Sequence, residues 1–336
     1  MLKFGIVGFG IMGRLYARII SESSEAKLVA VASKSESSLS LAREKYDVPV
    51  YDDPIEMYEK EKLDAVYIAT PDYLHFEFTK EALERGINVL LEKPMTMDVV
   101  EAEELVEIEK KSRALGTIRF GNRFSPPFLK LKSAIEDGKF GKILSLNARL
   151  NDTIYVPTKM IKWSSKTTPA WFLMSHLLDL AYYLTGDKPM KVTARGVKKV
   201  LQNLGIDTYD QITALVNYES GMVGVFETGW ILPESMPSVV DSAWEVIGET
   251  AASFVNLGDQ MLTLASDKYE KPGTVMVEIN GKLEGYLVYM LNLFIKAVRG
   301  EISNPIPFTD GLLNVKTLAA IHRSLEDDTW IEINHK

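Results

Sequence analysis

Residues 3–14 decide the fold, and they read Lys3-Phe4-Gly5-Ile6-Val7-Gly8-Phe9-Gly10-Ile11-Met12-Gly13-Arg14. A short apolar run leads into three glycines, and a helical pattern follows. The first glycine permits a tight turn, the second lets the backbone approach a phosphate, and the third lets the helix pack closely on the strand. The free N–H groups and positive dipole end of that helix favour an anion. The stretch therefore predicts a site for the pyrophosphate of a dinucleotide, contacted by Gly8, Phe9, Gly10, Ile11, Met12 and Gly13.

The first 120 residues repeat this alternation of strand and helix. Strand patterns occur at residues 3–8, 27–33, 48–51, 63–69, 87–91 and 117–120, with helical patterns between them. Strands separated by helices of this length require crossovers, which place the strands in a parallel sheet covered on both faces. With right-handed crossovers, the pattern predicts an α/β Rossmann domain with a doubly wound parallel sheet.

After about residue 122 the pattern changes to β-rich segments with few helices between them. Strands are predicted at 142–151, 191–200, 211–218, 222–228, 243–247 and 274–279, and helices at 127–137, 169–185, 284–298 and 310–325. This indicates an α+β domain with a large, mostly antiparallel open sheet. We expect a dinucleotide-binding domain at 1–121 and a substrate-binding and oligomerisation domain at 122–336, with the substrate in the cleft between them.

Composition excludes several classes of function. The chain has 336 residues, a formal net charge of −8 and no cysteine. The acidic balance argues against nucleic acid as a partner, and the lack of cysteine excludes disulfides, thiolate metal sites and cysteine nucleophiles. The four histidines form no HxH or HxxxH pair, so we expect no metal site. No apolar run approaches the ~20 residues of a membrane span, so we expect a cytoplasmic protein that does not bind a membrane.

The end of the second strand bears on the choice of nicotinamide cofactor. An acidic residue there binds the ribose 2′-hydroxyl of NAD, but this chain has Ser33-Lys34-Ser35. Hydroxyls and an ammonium suit the 2′-phosphate of NADP instead. We therefore expect NADP to be preferred over NAD, through Ser33 and Lys34. The alternative is that Lys34 is a solvated loop residue and that Glu36 serves NAD.

Further motifs follow later strands. Residues 70–75 read TPDYLH, 92–94 read EKP, 121–126 read GNRFSP and 135–141 read IEDGKFG. Together with the glycine motif, they resemble the glucose–fructose oxidoreductase / myo-inositol dehydrogenase family (Gfo/Idh/MocA type) over nearly the whole chain. The resemblance implies hydride exchange with sugar-like hydroxyls and a C-terminal sheet that often forms oligomers. We therefore expect a small sugar or polyol substrate, a homodimer or homotetramer, and further cofactor contacts from Thr70, Pro71, His75, Glu92 and Lys93. The alternative for His75, at a helix entry, is a structural role.

Lys93 is the first candidate catalytic residue. It lies at the carboxyl end of a parallel strand, where α/β sheets place their ligands. Its ammonium could orient a substrate hydroxyl and favour the alkoxide as hydride leaves. Glu92 could hold this lysine or contact the nicotinamide ribose. The alternative is a simple strand-end pair of Lys93 with Glu92.

The second candidate is His176, which by resemblance matches the general base of the family. Asp179 follows three residues later on the same helical face, so it could orient the imidazole or contact the substrate. The alternative is a core histidine beside a carboxylate. The sequence departs from the pattern at Phe172, where many members have Asp, and at Met174, where Gly is usual. Further substrate contacts are expected from Arg123, Trp163 and Trp171, although core packing is the alternative for at least one tryptophan.

These residues predict an NAD(P)-dependent oxidoreductase that acts on a secondary hydroxyl, or the matching ketone, of a sugar, sugar derivative or cyclitol. Phe172 keeps two alternatives open. One is a non-catalytic NADP-binding sensor of redox state or a metabolite. The other is a reductase of a non-sugar substrate such as an imine or a dihydrodiol.

Overall fold

The computed structural model describes residues 1–259 and 261–335. The chain divides into two compact units, of which the first comprises Met1–Gly121 and Met276–Val315 and the second comprises Asn122–Val275 and Lys316–Lys336. The segment Met276–Val315 was expected in the second domain, so the structure differs there from the predicted division. The physical reason is burial, because the Phe294 ring packs edge-on against Phe4 of the first strand with centroids 6.0 Å apart.

A parallel six-stranded sheet forms the centre of the first unit. Its strands are β1 (Leu2–Val7), β2 (Ala26–Ala32), β3 (Val50–Tyr51), β4 (Ala65–Ile68), β5 (Asn88–Leu91) and β6 (Gly116–Ile118). The helices between them are α1 (Ile11–Glu22), α2 (Glu36–Tyr46), α3 (Pro54–Lys60), α4 (His75–Glu84) and α5 (Val99–Lys111). The strand order is β3-β2-β1-β4-β5-β6, which is that of a dinucleotide-binding sheet. The predicted Rossmann fold is confirmed.

The second unit is built on a mixed, mostly antiparallel sheet. Its elements up to residue 270 are α6 (Pro126–Glu136), β7 (Ile143–Thr153), α7 (Ser175–Thr185), β8 (Pro189–Val197), α8 (Val200–Asn203), β9 (Gln211–Tyr218), β10 (Val223–Leu232), β11 (Val240–Gly248), β12 (Ala252–Asn256), β13 (Leu264–Ala265) and β14 (Tyr269–Glu270). The predicted helix 169–185 is α7 preceded by a π-helical turn, Ala170–Met174.

The last part of the chain contributes to both units. It contains β15 (Met276–Ile279), β16 (Lys282–Gly285), α9 (Tyr286–Val298), α10 (Phe308–Asp327) and β17 (Ile331–Glu332). Strands β15 and β16 form a separate hairpin of the first unit, so the predicted strand 274–279 is not part of the large sheet. That sheet has the order β12-β11-β7-β10-β9-β8-β17, and only its β7–β10 pairing is parallel.

Alternating side chains of this second sheet form a core. Trp230, Trp244 and Phe226 are fully or almost fully buried, and Trp244 packs edge-on against Phe128 of α6 at 5.3 Å. The side chains at the other positions of β9 and β10 are more exposed than these, which matches a sheet with one packed face. Across the described ranges, no helix is both long and apolar enough to cross a membrane.

Candidate functional site

The glycine-rich turn between β1 and α1 has the geometry that its sequence predicts. Gly8 has a φ of +89°, and a Cβ there would lie 2.4 Å from the carbonyl oxygen of Ala69. A Cβ at Gly13 would lie 2.0 Å from the carbonyl oxygen of Gly8. Both positions therefore require glycine, the first for its backbone conformation and for space and the second for the contact of α1 with the turn.

Gly10 differs from these two, because a Cβ there would have no atom within 4 Å. The open space lies at the N-cap of α1, where no side chain caps the helix and the first turn has no acidic residue. Backbone N–H groups and the helix dipole can therefore act on an anion from outside. The residues of this turn fit the pyrophosphate of a nicotinamide dinucleotide.

The residues beside these glycines differ in how exposed their side chains are. Phe9 is 2% exposed and packs edge-on against Tyr46 at 6.3 Å, so only its backbone is available to a ligand. Ile11 is exposed and Met12 is half-buried. Arg14 was not among the predicted site residues; it is exposed, and its Nε donates to the Phe9 carbonyl at 3.1 Å.

At the end of β2, the predicted cofactor residues lie at the surface. Ser33 is half-buried and Lys34 is exposed. The Ser33 hydroxyl accepts a hydrogen bond from the Ser35 N–H at 3.3 Å, and Ser35 caps α2. Glu36 lies in the first turn of α2, where it accepts a hydrogen bond from Ser40.

The loop after β4 contains Thr70, Pro71 and His75. The buried hydroxyl of Thr70 has no hydrogen-bond partner within the described part of the chain, which suits a contact to a ligand. His75 is fully buried; its Nδ1 lies 2.7 Å from the Pro94 carbonyl and its Nε2 lies 3.0 Å from the Thr70 carbonyl. Its ring therefore joins two loops from the inside, which fits the structural alternative for His75 rather than a contact with the cofactor.

Glu92 also differs from its predicted role as a cofactor contact. Its Oε1 and Oε2 accept hydrogen bonds from Arg119 at 2.5 and 2.8 Å, and the Tyr67 hydroxyl donates to Oε1. Burial alone would raise the pKa of Glu92, but the Arg119 guanidinium holds it below its usual value. The Oε2 atom also accepts the backbone N–H of Lys93 at 3.3 Å. The Glu92 carboxylate is therefore held by protein partners, and through its bond to the Lys93 N–H it supports the turn that presents Lys93.

Lys93 itself is 7% exposed at the carboxyl end of β5. Sequence reasoning placed it correctly after a parallel strand but missed Arg119, its indirect support. The signal was an arginine directly after the short strand β6, flanked by Ile118 and Phe120. A charge in such an apolar setting requires a buried partner.

In the second unit, His176 lies in the first turn of α7 and is half-buried. Asp179 was expected to orient it, and Arg123 was expected to contact substrate. These two residues bind each other: Arg123 Nε donates to the two Asp179 oxygens at 3.1 and 2.9 Å. Their side chains are only 5% and 2% exposed. A buried guanidinium needs such a carboxylate, so the pair stabilises this part of the second unit, and the roles of Asp179 and Arg123 towards His176 and substrate stay predictions.

The two tryptophans that were predicted to contact substrate differ in burial. Trp171 is 5% exposed and stacks on His322 at 4.9 Å with an angle of 14°, which fits the core-packing alternative given for at least one tryptophan rather than an exposed sugar platform. Trp163 is half-buried and packs edge-on against Phe172 at 6.0 Å. In the two described ranges, no group of three or more acidic or histidine side chains could hold a metal ion.

Comparison with protein families covers both units. Residues 2–120 match the family described as "Oxidoreductase family, NAD-binding Rossmann fold", and residues 128–253 match "GFO/IDH/MocA C-terminal domain". The chain is 24% identical to myo-inositol 2-dehydrogenase of Thermotoga maritima over 99% of this chain and 98% of that protein. It is 25% identical to the scyllo-inositol 2-dehydrogenase (NAD(+)) of Bacillus subtilis over 100% and 97% of the two chains.

Solved structures share the fold over the same length. The scyllo-inositol dehydrogenase of Lactobacillus casei, crystallised with NAD(H) and scyllo-inositol, superposes with a TM-score of 0.83. The match covers 99% of each chain at 21% identity. The order of the two domains is therefore shared along the full length of both proteins.

Proposed function

Since this chain belongs to the GFO/IDH/MocA oxidoreductase family, we propose that it transfers a hydride between a nicotinamide dinucleotide and a secondary hydroxyl, or the matching ketone, of a sugar, sugar derivative or cyclitol. The observation that carries the proposal is Lys93, buried at the carboxyl end of β5 on a turn held by Glu92. The names of the inositol dehydrogenase relatives support this substrate class.

When bound, the nicotinamide supplies the hydride acceptor or donor. Backbone N–H groups at the start of α1 would hold its pyrophosphate, and the buried Thr70 hydroxyl is available for a further hydrogen bond. The Lys93 ammonium orients the substrate hydroxyl and stabilises negative charge on its oxygen. The ion pair of Glu92 with Arg119 keeps the Lys93 turn in place.

His176 is proposed to exchange the hydroxyl proton. It is half-buried in the first turn of α7, and an imidazole can both accept and donate a proton. Asp179 supports it indirectly, because the ion pair with Arg123 fixes the same helix.

The test is formation of reduced nicotinamide with NADP and NAD against a panel of sugars and cyclitols. Lys93→Met should abolish turnover and leave cofactor affinity largely unchanged. His176→Ala should lower kcat strongly, by about 10²–10⁴-fold, as expected for loss of a general base. Full activity in the Lys93 variant would refute the assignment. Cofactor binding without turnover of any compound would favour the nicotinamide-binding sensor instead.

NADP as the preferred cofactor is a further part of the proposal. It is supported by the exposed ammonium of Lys34 and the hydroxyl of Ser33 directly after β2, where no carboxylate would repel a 2′-phosphate. Lys34→Asp should lower the ratio of kcat/KM for NADP over NAD by at least about tenfold, since it replaces an attraction by a repulsion. An unchanged ratio would leave NAD as the cofactor, with Glu36 as the alternative ribose contact.

We also propose a homodimer or homotetramer in the cytoplasm. Phe254 on the edge strand β12 is 71% exposed, and Leu144 on β7 is 51% exposed. Large exposed apolar side chains on a sheet suit a contact with a second copy. Analytical ultracentrifugation should give a mass of two or four chains, and Phe254→Asp should lower it. The cysteine-free composition is compatible with the cytoplasm.

A further inference from the structure

The helical segment that carries His176 begins before α7, at Thr168. The Thr168 hydroxyl oxygen accepts the Trp171 N–H at 3.3 Å, and its carbonyl accepts the Phe172 N–H at 2.9 Å. Pro169 stands at the first helical position, where its missing N–H leaves no donor unpaired. Thr168 is therefore an N-cap residue, and the chain continues from it through the π-helical turn into α7 without a break.

The π-helical turn, Ala170–Met174, sets the rotation of the helix that follows it. The Ser175 N–H donates to the Ala170 carbonyl five residues back, one residue more than in an α-helix. The extra residue rotates α7, with His176 in its first turn, about the helix axis relative to Thr168. Such turns are rare and frequently occur at functional sites. The direction of the His176 side chain therefore depends on the contacts that hold this turn.

His322 of α10 supplies two of these contacts. Its Nε2 lies 2.8 Å from the Thr168 hydroxyl oxygen, and its ring stacks on Trp171 with centroids 4.9 Å apart. Its Nδ1 lies 2.7 Å from the Leu318 carbonyl, which can only accept, so Nδ1 carries the ring proton. Burial lowers the pKa of His322 to about 4, so the ring is neutral at neutral pH and Nε2 accepts from the hydroxyl. The Thr168 oxygen is then left to accept from Trp171.

The segment is also held beyond His176, where Asp179 forms its buried ion pair with Arg123. The imidazole therefore lies between two places at which other parts of the second unit bind the segment. We infer that His322 is a positioning residue for His176: it binds the cap at Thr168 and packs on the π-helical turn, and so holds the rotation of α7 that presents the imidazole. This rests on the proposed function, in which His176 exchanges the proton.

Variants of Thr168 and His322 test this contact from both sides. Thr168→Val replaces the hydroxyl by a methyl group, whereas Thr168→Ser keeps the hydroxyl. His322→Phe keeps an aromatic ring and loses both nitrogens. Thr185→Val, at the far end of α7, is the matched control. The Thr185 hydroxyl also donates one hydrogen bond and accepts another, to the Ala181 carbonyl at 2.7 Å and from the Asp187 N–H at 3.1 Å.

The first readout is the position of the His176 ring signal in NMR spectra, which needs no turnover. The chain has four histidines, so carbon-13 labelling of their rings gives few signals, and His176→Ala identifies the one of interest. Thr168→Val and His322→Phe should both shift this signal, whereas Thr168→Ser and the matched control should leave it in place. The ring signal of His335, which is bound to the Pro189 carbonyl, should stay in place in every variant. An unmoved His176 signal in Thr168→Val and His322→Phe, or an equal shift in the matched control, would overturn the inference.

The second readout is turnover, measured per cofactor-binding site so that loss of folded protein does not count. Thr168→Val should lower kcat by about 10- to 100-fold, since a misplacement of ~1 Å can cost about 10²-fold, and should leave the KM for the cofactor unchanged. In the His176→Ala background the same substitution should lower kcat no further, because its effect passes through the imidazole. Equal losses in the two backgrounds would contradict the positioning role. Failure of the proposed function has a different signature: the wild type reduces no nicotinamide with any sugar or cyclitol, while the His176 signal still shifts in Thr168→Val.

Discussion

Arg119 and Glu92 form a buried two-point ion pair, with Nε–Oε1 and Nη2–Oε2 distances of 2.5 and 2.8 Å. Both follow directly on the ends of neighbouring parallel strands, β6 and β5, and Tyr67 of β4 donates to the same carboxylate. Three strands thus meet at the residue preceding Lys93. The candidate catalytic lysine is therefore supported by residues at the strand ends of the sheet and not by a flexible loop.

Removing this guanidinium should destabilise the protein strongly. Arg119→Met leaves the Glu92 carboxylate buried without its cation, so we expect the free energy of unfolding to fall by about 3–5 kcal/mol. Urea denaturation measures this. Arg149→Met is the matched control, because Arg149 forms an ion pair with Asp241 while itself 48% exposed, and the loss there should stay below about 1 kcal/mol. Similar losses in both variants would contradict the role assigned to Arg119.

Two glycines of the first turn should respond differently to the same substitution. Gly10→Ala places its methyl in open space and should leave the thermal midpoint almost unchanged while lowering cofactor affinity, because that space lies where a phosphate would approach. Gly13→Ala forces a Cβ towards the Gly8 carbonyl and should lower both the stability and the affinity. Calorimetric melting and cofactor titration of the two variants separate these effects. A strongly destabilised Gly10 variant would count against an open turn.

His322 should make stability depend on pH. Burial lowers its pKa to about 4, from 6.5 for an exposed histidine, although a bond to the Leu318 carbonyl opposes the shift. The neutral ring is therefore favoured in the folded state, and its contribution is fully present above pH ~6.5. It is lost as the pH falls towards 4, by up to about 3 kcal/mol in total. Denaturation at pH 7, 6, 5 and 4 should show a steeper decline for the wild type than for His322→Gln. Parallel curves would exclude this histidine as the cause.

The pair of Arg123 and Asp179 should behave as a single structural unit. Arg123→Met alone should cost about 3–5 kcal/mol, because it strands a buried carboxylate. The double variant Arg123→Met/Asp179→Leu should recover a substantial part of that loss, since it removes both buried charges. Unfolding of the two single variants and the double variant measures the coupling.

Local pattern was sufficient for the Rossmann sheet, the glycine turn and the position of Lys93. Close neighbours in the chain decide where a glycine is needed to avoid a clash, and the periodicity of apolar residues decides which runs are buried. Both features are visible in the sequence. The strand–helix alternation predicted the parallel sheet because crossovers leave few other arrangements. Proximity in sequence was misleading where it suggested partners for side chains, and where it assigned residues 276–315 to the second domain.

Those partners were decided by the tertiary structure. Arg119 binds a carboxylate 27 residues away, Arg123 binds one 56 residues away, and Thr168 meets His322 across 154 residues. His75 lies between two backbone carbonyls, and Trp171 lies under an imidazole, so neither is presented to a ligand as expected. A buried charge or ring must find a partner, but which partner is set by how the elements pack. By itself, the sequence determined the fold and the chemistry available to it. Only the packing decided which of those groups bind one another inside the fold, because a buried charge or ring takes its partner from whichever element packs against it.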